Sequence, residues 1–380
     1  MINKRHIVIV SVVILILGFS LSLSYNFENM IEKNGGTVLY PEDFYNGQND
    51  LNARVLDKDE ATTSTYTAYI DRSEIEEIGN NSIQLLIFRL NGQAYSVTFN
   101  DVHIASYGDM PEAQSHIYNS LSNFSIPKSL IEDKNTLSIK IHSLYMVGLE
   151  QSPIGILDSE SARLITENMG FRTQGLTLIS IGMFLLGIVI TIMMIYLSDK
   201  KNISLIYFMV SILFLVIYSL DFMHFAQLII PYIWFKKIII ISLFACVFFL
   251  GISFSKLMKS KHSIIVSSVQ FALMIIAVIF LSDLVIFKRV YDIMIPLISV
   301  NFIIWIVVAV KNLKEKEEAI IFLCAFSNLL IISLIDGLLM VFLGGTISTS
   351  AISFVLVFSI ILIALLYIEI NHRNLTIEYE

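Results

Sequence analysis

The sequence contains few charged residues and few cysteines, and each shortage excludes a class of protein. Of 380 residues only 15% are charged and 56% are hydrophobic, whereas an ordinary soluble domain carries about 25% charged residues. A soluble globular protein is therefore excluded, and so is a disordered chain, because disorder requires low hydrophobicity. The two cysteines, Cys246 and Cys324, lie within apolar runs, which excludes a disulfide framework. The class that remains is an integral membrane protein.

The few charges are unevenly distributed. Residues 25–173 contain 21 acidic and 10 basic side chains, whereas the rest of the chain contains 11 acidic and 15 basic ones. An acidic segment of mixed composition thus interrupts a hydrophobic and slightly basic chain. Neither part has a basic stripe suited to a phosphate backbone, so nucleic acid is not an expected partner.

Residues 1–24 are predicted to direct the acidic segment across the membrane. Lys4 and Arg5 precede an apolar run over residues 6–24, which is the pattern of either a cleaved signal peptide or a retained signal anchor. The run of about 17 apolar residues lies between the lengths typical of the two classes, so both alternatives stay open. In either case the residues that follow are exported.

After residue 173 the chain consists of seven apolar runs separated by short polar stretches. Each run is close to the roughly 20 residues that a helix needs to cross a bilayer. Lipid cannot hydrogen-bond to bare backbone groups, so the runs are predicted to be helices. They cover about residues 175–197, 203–223, 238–258, 263–282, 291–310, 319–343 and 350–370.

Basic residues between the runs predict the orientation. Eight lysines lie on one side of the membrane and four basic residues on the other, and the side with more of them is expected to be cytoplasmic. This predicts a multi-pass plasma-membrane protein with residues 25–173 extracytoplasmic and the C-terminus cytoplasmic. The first group is Lys200, Lys201, Lys256, Lys259, Lys261, Lys311, Lys314 and Lys316, and the second is Lys236, Lys237, Lys288 and Arg289.

The acidic segment reads as an all-β domain over residues 25–149. Five short runs are rich in β-branched or aromatic residues, and several alternate apolar with polar residues. The pair Asn100-Asp101 separates two of them and is typical of a hairpin turn. The pattern predicts a sandwich or jelly roll, followed by a tether without strands over 150–173, a helical bundle over 174–370 and a short tail over 371–380. The five runs are 62–70, 83–90, 95–99, 102–107 and 137–144.

This order of parts resembles the bacterial seven-transmembrane receptors with diverse intracellular signalling modules. The exported part is also similar to the galactose-binding-type jelly roll of carbohydrate-binding domains. That likeness rests on the strand-turn-strand over 94–108, on Phe124-Ser-Ile-Pro127 and on Asn135-Thr-Leu-Ser-Ile-Lys-Ile141. In such domains the hairpin turn usually reads Asn-Gly, whereas here Asp101 takes the glycine position.

The resemblance implies a receptor for an extracellular small molecule or carbohydrate that signals to a cytoplasmic kinase, cyclase or phosphatase. Only residues 371–380 follow the seventh run. The sequence is therefore expected to be either a receptor-only member with a separate signalling partner or a truncated chain. The expected partners also include the lipid bilayer. Association with a second copy of the chain as a homodimer is an open alternative.

Candidate ligand-binding residues are the tyrosines Tyr95, Tyr107, Tyr118 and Tyr145, although ordinary core or surface roles are an open alternative for each. The exported segment contains no tryptophan, the strongest side chain for stacking on a ligand. No phosphate loop, zinc-binding helix or nucleophile elbow occurs in the sequence. No catalytic residue, cofactor or metal site is therefore predicted, and the protein is not expected to be an enzyme.

Ionisable residues within or beside the apolar runs are the second set of candidates, because a charge in hydrocarbon is costly. Asp336 lies in the sixth run, and Asp221 and His224 lie one turn apart at the outer end of the second. With Lys236 and Lys237 they predict a cluster that couples the exported domain to the bundle. The alternatives are that Asp221 and His224 mark the membrane interface and that Asp336 is a structural hydrogen-bonding residue.

A transporter, or a membrane-assembly component whose exported domain recruits partners, is the rival class. The sequence shows no inverted repeat and no pair of helices broken by glycine and proline, which transporters of this size commonly have. The receptor is therefore the favoured interpretation.

Overall fold

The computed structural model describes residues 27–45, 54–55, 62–76, 78, 82–108, 114–117, 120–144, 146–149, 153–197, 202–316, 318–343, 357–366 and 368, with the side chains of 54, 55, 146, 262, 263 and 332–343 excepted. Residues 1–24, the tail over 371–380, Tyr118 and Tyr145 lie outside these ranges. The predictions made for them stay predictions.

The first part of the chain, here called the β domain, forms antiparallel sheets around one apolar core. Its strands are β1 (Thr37–Leu39), β2 (Phe44–Tyr45), β3 (Arg54–Val55), β4 (Thr62–Asp71), β5 (Ser82–Phe88), β6 (Ala94–Phe99), β7 (Val102–Gly108), β8 (Leu121–Pro127), β9 (Lys134–Ser143), β10 (Met146–Val147) and β11 (Ile154–Leu157). A five-stranded sheet has the order β2-β4-β9-β6-β7 and a four-stranded sheet the order β1-β11-β5-β8, while β3 and β10 pair separately. All five predicted strands are present, and the more specific jelly-roll topology stays a prediction.

Alternation of side chains explains how the two sheets meet. On β9 the apolar residues Leu137, Ile139 and Ile141 are buried, whereas Ser138 and Lys140 between them point away from the core. Because successive side chains of a strand lie on opposite faces, one face of β9 supplies the core and the other faces outward. Buried apolar residues of β4, β5, β6 and β11 complete the same cluster.

Helices cover the outer face of the four-stranded sheet. They are α1 (Phe27–Lys33) and α3 (Ser159–Gly170), while the short α2 (Arg72–Ile75) follows β4. Leu86 and Phe88 of β5 pack against α1 and α3, whereas Leu85 and Ile87 face the core between the sheets. Strand β5 is therefore buried on both faces, which is why it reads as a nearly continuous apolar run.

The prediction that residues 150–173 form a tether without strands is wrong in its first part. Residues Ile154–Leu157 form β11, which pairs with both β1 and β5 inside the four-stranded sheet. All four residues are buried, so no apolar-polar alternation marks the strand. The remainder is helical, since α3 begins at Ser159 and is capped by Asp158, whose side chain accepts hydrogen bonds from the amides of Glu160 and Ser161.

The second part of the chain consists of apolar helices. They are α4 (Leu176–Leu197), α5 (Ile203–Ser219), α6 (Tyr232–Met258), α7 (His262–Phe280), α8 (Leu284–Asn312), α9 (Ala319–Leu343) and α10 (Val357–Leu366). A π-helical turn over Phe171–Gly175 joins α3 to α4 without a break. Among the described residues, four helical stretches are long and apolar enough to cross a membrane and three are shorter. The predicted fold class, a β domain followed by apolar spanning helices, is confirmed.

Two helices begin earlier than their apolar runs. Helix α6 starts at Tyr232, six residues before the predicted span, and α8 starts at Leu284, seven residues before it. The second turn of each helix contains basic residues, which hydropathy assigns to loops. These charges are accommodated because they have partners, as described below for α6.

Candidate functional site

The β domain and the helical bundle meet through two short segments. One is the strap, defined as residues 114–117 between β7 and β8, and the other is the docking loop, defined as residues 223–231 between α5 and α6. The strap belongs to the β domain because Ile117 lies in its core. The docking loop is preceded by a short 3-10 turn over Leu220–Phe222 that ends the second membrane span.

Backbone hydrogen bonds join the strap to the docking loop. The amide of His116 donates to the carbonyl of Phe225 at 2.8 Å, and the amide of Phe225 donates to the carbonyl of His116 at 2.7 Å. The amide of Leu228 donates to the carbonyl of Gln114 at 2.9 Å. The two segments therefore pair as a minimal antiparallel ladder, whose geometry is directional and fixes their register.

Side chains of the strap reinforce this pairing. The hydroxyl of Ser115 donates to the carbonyl of Ala226 at 2.6 Å. The side-chain oxygen of Gln114 accepts from the amide of Tyr232 at 2.6 Å. Tyr232 is the first residue of α6, where backbone amides have no partner within the helix, so Gln114 satisfies the start of a spanning helix from outside the bundle.

A charged cluster lies beneath the pairing. His116 Nε2 lies 2.8 Å from the backbone carbonyl of Asp221 and 3.5 Å from its carboxylate, and Lys236 Nζ lies 2.6 Å from the same carboxylate. A carbonyl oxygen only accepts, which assigns the ring proton to Nε2. Asp221 thus lies between a side chain of the β domain and one of α6.

The imidazole of His116 is packed among aromatic rings. Its ring centre is 5.2 Å from that of Phe235 and 6.2 Å from that of Tyr232, and the side chain is only 5% exposed. Burial, reinforced by the positive charge of Lys236, lowers the pKa of His116 from 6.5 to about 4, although Asp221 opposes this shift. His116 is therefore neutral at ordinary pH.

The π-helical turn before α4 contributes the third contact. The amide of His224 donates to Gln174 Oε1 at 3.2 Å, and Gln174 Nε2 lies 3.5 Å from the carbonyl of Phe222. A π-turn places one extra residue in the helix and often marks functional positions. Here it directs Gln174 onto the docking loop, so that α4, the docking loop and the strap meet at one place.

The structure places the predicted coupling residues in different surroundings. Asp221 and Lys236 form an ion pair, as the cluster hypothesis requires. Lys237 is buried apart from them and donates to the carbonyl of Val278 at 3.0 Å. The side chain of His224 is exposed at the docking loop. Asp336 lies in α9, and its side chain is outside the described residues.

The predicted ligand-binding tyrosines that the structure describes are neighbours on adjacent strands. The rings of Tyr95 on β6 and Tyr107 on β7 are 5.8 Å apart, and Tyr95 also contacts Phe124 with an edge-on ring. Tyr95 is buried and Tyr107 is half-buried. Burial raises the pKa of the Tyr95 hydroxyl.

Four members of this site were not predicted from the sequence, namely Gln114, Ser115, His116 and Gln174. The strap has no regular strand pattern, and its partners lie more than a hundred residues away along the chain. The one available signal was a histidine next to the apolar Ile117 in a loop between two strands. That signal is weak, because histidine is common in loops.

Acid is expected to loosen the strap from the docking loop. The pKa of His116 is lower in the folded protein than in the unfolded chain. The free energy by which neutral His116 stabilises the contact is therefore complete above about pH 6.5 and is lost as the pH falls towards about 4. Between pH 7.5 and 5 the loss amounts to about 2 kcal/mol. Hydrogen exchange of residues 114–117 and 223–231, corrected for the intrinsic effect of pH, measures it.

A His116→Gln variant is the control for this titration. Glutamine keeps an N–H donor for the Asp221 carbonyl but does not titrate, so protection should change little across the same pH range. His224, whose pKa is also lowered by partial desolvation, is present in both proteins. An equally steep pH dependence in the variant would show that His116 is not the group responsible.

Comparison with known proteins concerns the helical part. A family model described as 7TM diverse intracellular signalling matches residues 173–368. The matched region begins in the π-helical turn and ends after α10, so it covers the whole described bundle. A comparison with curated proteins finds no significant match. The chain belongs to the family of seven-transmembrane proteins with diverse intracellular signalling.

Proposed function

We propose that this protein is a receptor in which the β domain detects an extracytoplasmic ligand and the bundle passes the change to a cytoplasmic effector. The observation that carries the proposal is the pairing of the strap with the docking loop through His116 and Phe225. Family membership supports a signalling role, and the basic loops between helices support a cytoplasmic C-terminus. The likeness of the β domain to carbohydrate-binding domains supports a small molecule or carbohydrate as ligand.

The strap can transmit a change because it is fixed on both sides. Within the β domain, Ile117 is buried in the core, and the amide of Ser120 donates to its carbonyl at 2.9 Å. Within the bundle, the docking loop connects α5 directly to α6. A displacement of the strap therefore acts on the relative position of two packed helices. These helices also share hydrogen bonds deeper in the bundle, where Ser204 and Ser253 donate to each other's carbonyls.

The receptor itself catalyses no reaction in this proposal. A ligand changes the bundle only as far as it binds one state of the β domain more tightly than the other. The effector, which in this family is commonly a kinase or cyclase, then responds to the positions of the helix ends opposite the docking loop. These ends include the turn between α6 and α7 and the connection between α8 and α9.

Breaking the strap is expected to change the far end of the bundle without any ligand. Phe225→Pro removes the amide that donates to His116 and fixes a backbone angle unsuited to the pairing. Hydrogen exchange in lipid nanodiscs is expected to change several-fold at residues 256–262 and 312–316. The physical reason is that the strap biases the relative position of α5 and α6.

Ile229→Pro is the matched control. It places the same residue in the same docking loop, at a side chain that is fully exposed, and should leave the far end unchanged. If Phe225→Pro also leaves the far end as in the wild type, while exchange at the strap itself increases, signal transfer through the strap is refuted.

A further inference from the structure

The connection between α6 and α7 concentrates positive charge at one end of the bundle. It is here called the basic turn and is defined as residues 256–261. Lys256, Lys259 and Lys261 are all exposed, and the sequence of the turn contains no acidic residue. The turn lies opposite the docking loop, because α6 runs from one to the other. Like charges this close along the chain repel one another, so the turn attracts anions.

Hydrogen bonds fix the backbone of the basic turn. Lys259 ends α6 with a φ angle of +54°, and its amide donates to the carbonyl of Ser255. The hydroxyl of Ser255 donates in turn to the carbonyl of Ser260 at 2.7 Å. Left-handed residues of this kind commonly close the end of a helix. The lysines therefore project from a preorganised backbone, which reduces the ordering that binding requires.

A second connection brings a further lysine to the same place. Lys316, between α8 and α9, donates to the carbonyl of Leu257 at the end of α6. Partial burial and the positive charge of Lys259 lower the pKa of Lys316, although Glu318 and Glu315 oppose this shift. Lys259 and Lys316 are thus close enough to repel each other. An anion bound between them removes this repulsion.

An apolar stripe follows directly below the basic turn. Four side chains on α7 are each about half exposed, and their spacing of three or four residues places them on one face of the helix. In a helix of the membrane-embedded bundle such a face contacts hydrocarbon. Lysines above an apolar stripe fit a lipid, whose charged headgroup and acyl chains are arranged in the same order. A soluble anion or an acidic peptide uses only the lysines. The four residues are Ile265, Val269, Leu273 and Ile276.

We propose that the basic turn binds the phosphate of an anionic phospholipid, such as phosphatidylglycerol, whose acyl chains lie along the stripe on α7. This site goes beyond the proposed function, which concerns an extracytoplasmic ligand. A phosphate between Lys259 and Lys316 holds the basic turn against the connection between α8 and α9. These are helix ends to which the effector is proposed to respond, so regulation of signalling by the lipid rests on the proposed function, whereas the binding itself does not.

The binding test uses the full chain in nanodiscs of phosphatidylcholine, prepared with and without phosphatidylglycerol. We expect phosphatidylglycerol to slow hydrogen exchange several-fold at residues 256–262 and 312–316, and high salt to reduce the difference. Equal exchange in the two lipid mixtures overturns the proposal.

Two soluble probes test the other occupants. Inorganic phosphate and a glutamate-rich peptide are added to nanodiscs of phosphatidylcholine alone, and neither should slow exchange at the basic turn. If one of them protects the turn as well as phosphatidylglycerol does, the occupant is a soluble anion or an acidic protein segment and the lipid proposal is wrong.

Double variants locate the site. Lys259→Asn with Lys261→Gln removes two charges, and asparagine suits the left-handed backbone at 259, so most of the protection by phosphatidylglycerol should be lost. Lys311→Gln with Lys314→Gln is the matched control, since it removes two exposed lysines at the same end of the bundle and should keep the protection. Equal losses in both would show diffuse attraction to the bilayer and overturn the site. If the first variant has a lower melting temperature without phosphatidylglycerol, Lys256→Gln with Lys261→Gln replaces it.

The outcomes separate this inference from the proposed function. Phe225→Pro is compared with the wild type in nanodiscs of one lipid composition, so its effect does not depend on whether phosphatidylglycerol binds. Exchange at the basic turn that ignores phosphatidylglycerol overturns the lipid site alone. Exchange there that ignores Phe225→Pro overturns signal transfer through the strap and leaves the lipid site standing.

Discussion

Replacing Asp221 with asparagine is expected to destabilise the contact between the β domain and the bundle by about 2–4 kcal/mol. The carboxylate is 2.6 Å from Lys236 Nζ and 3.5 Å from His116 Nε2. Asparagine has nearly the same shape but no charge, so the partly buried ammonium group of Lys236 loses its counter-ion. The loss should appear as a lower melting temperature and as faster hydrogen exchange at residues 114–117 and 223–231.

Two further variants identify the cause. Asp292→Asn removes the acidic partner of Lys288 in a more exposed ion pair of α8, and such pairs contribute at most about 1 kcal/mol. In a double variant, Asp221→Asn with Lys236→Met, no unpaired charge remains, so most of the lost stability should return. A double variant as unstable as Asp221→Asn alone would contradict an explanation based on the charge of Lys236.

Replacing Asn135 with alanine is expected to destabilise the β domain by about 2–4 kcal/mol. The side chain is fully buried. Its oxygen accepts from the Asn100 amide group at 3.0 Å and from the Glu132 backbone amide at 2.8 Å, while its nitrogen donates to the carbonyls of Ile70 and Glu132. Alanine leaves several of these buried groups without a partner, and each costs about 1–3 kcal/mol.

Hydrogen exchange of β4 and β9 in the full chain measures this effect, because Asn135 connects the ends of both strands. Asn123→Ala is a suitable control, since Asn123 is exposed on β8 and its side chain makes, among the described residues, one long hydrogen bond of 3.5 Å to Thr166 Oγ1. Its protection should differ from the wild type by less than about 0.5 kcal/mol. Equal effects of the two substitutions would show that the buried hydrogen bonds of Asn135 contribute little.

Local chemistry explains which parts of the fold the sequence predicted. Asn100 and Asp101 have φ angles of +46° and +59°, the conformation of a hairpin turn for which asparagine and aspartate are suited. The hairpin between β6 and β7 was therefore predictable from two residues and their alternating neighbours. The same holds for β9, because one of its faces is buried and the other is not.

Strand β11 and the first turns of α6 depend on distant partners, which explains why they were missed. Gly155 in β11 allows close approach of α1, since a Cβ atom there would lie 2.7 Å from Ile31 Cδ1. That contact joins residues more than a hundred positions apart. Likewise, Lys236 and Lys237 are polar by any hydropathy measure, but both have partners inside the fold. Asp221 neutralises the charge of Lys236, and the carbonyl of Val278 accepts a hydrogen bond from Lys237.

Only the part of the candidate site that the bundle contributes was predictable from the sequence. Asp221 and Lys236 attract notice because charges beside apolar runs are rare, and the structure pairs them. The contribution of the β domain through His116 follows from where the strap is placed by β7 and β8, which no local pattern encodes.

The unbroken helix from Ser159 to Leu197 gives the β domain a second, stiffer attachment to the membrane. Ala162, Ile165 and Met169 fix its first half to the four-stranded sheet, while the strap is fixed to α5 and α6. The β domain is therefore joined to the bundle at two places, which lie on different helices. A distortion that changes the separation between α3 and the strap would reach the bundle as a shear between α4 and the α5–α6 pair. Under the proposed receptor function, the bundle would then respond to strain within the β domain and not to that domain's position.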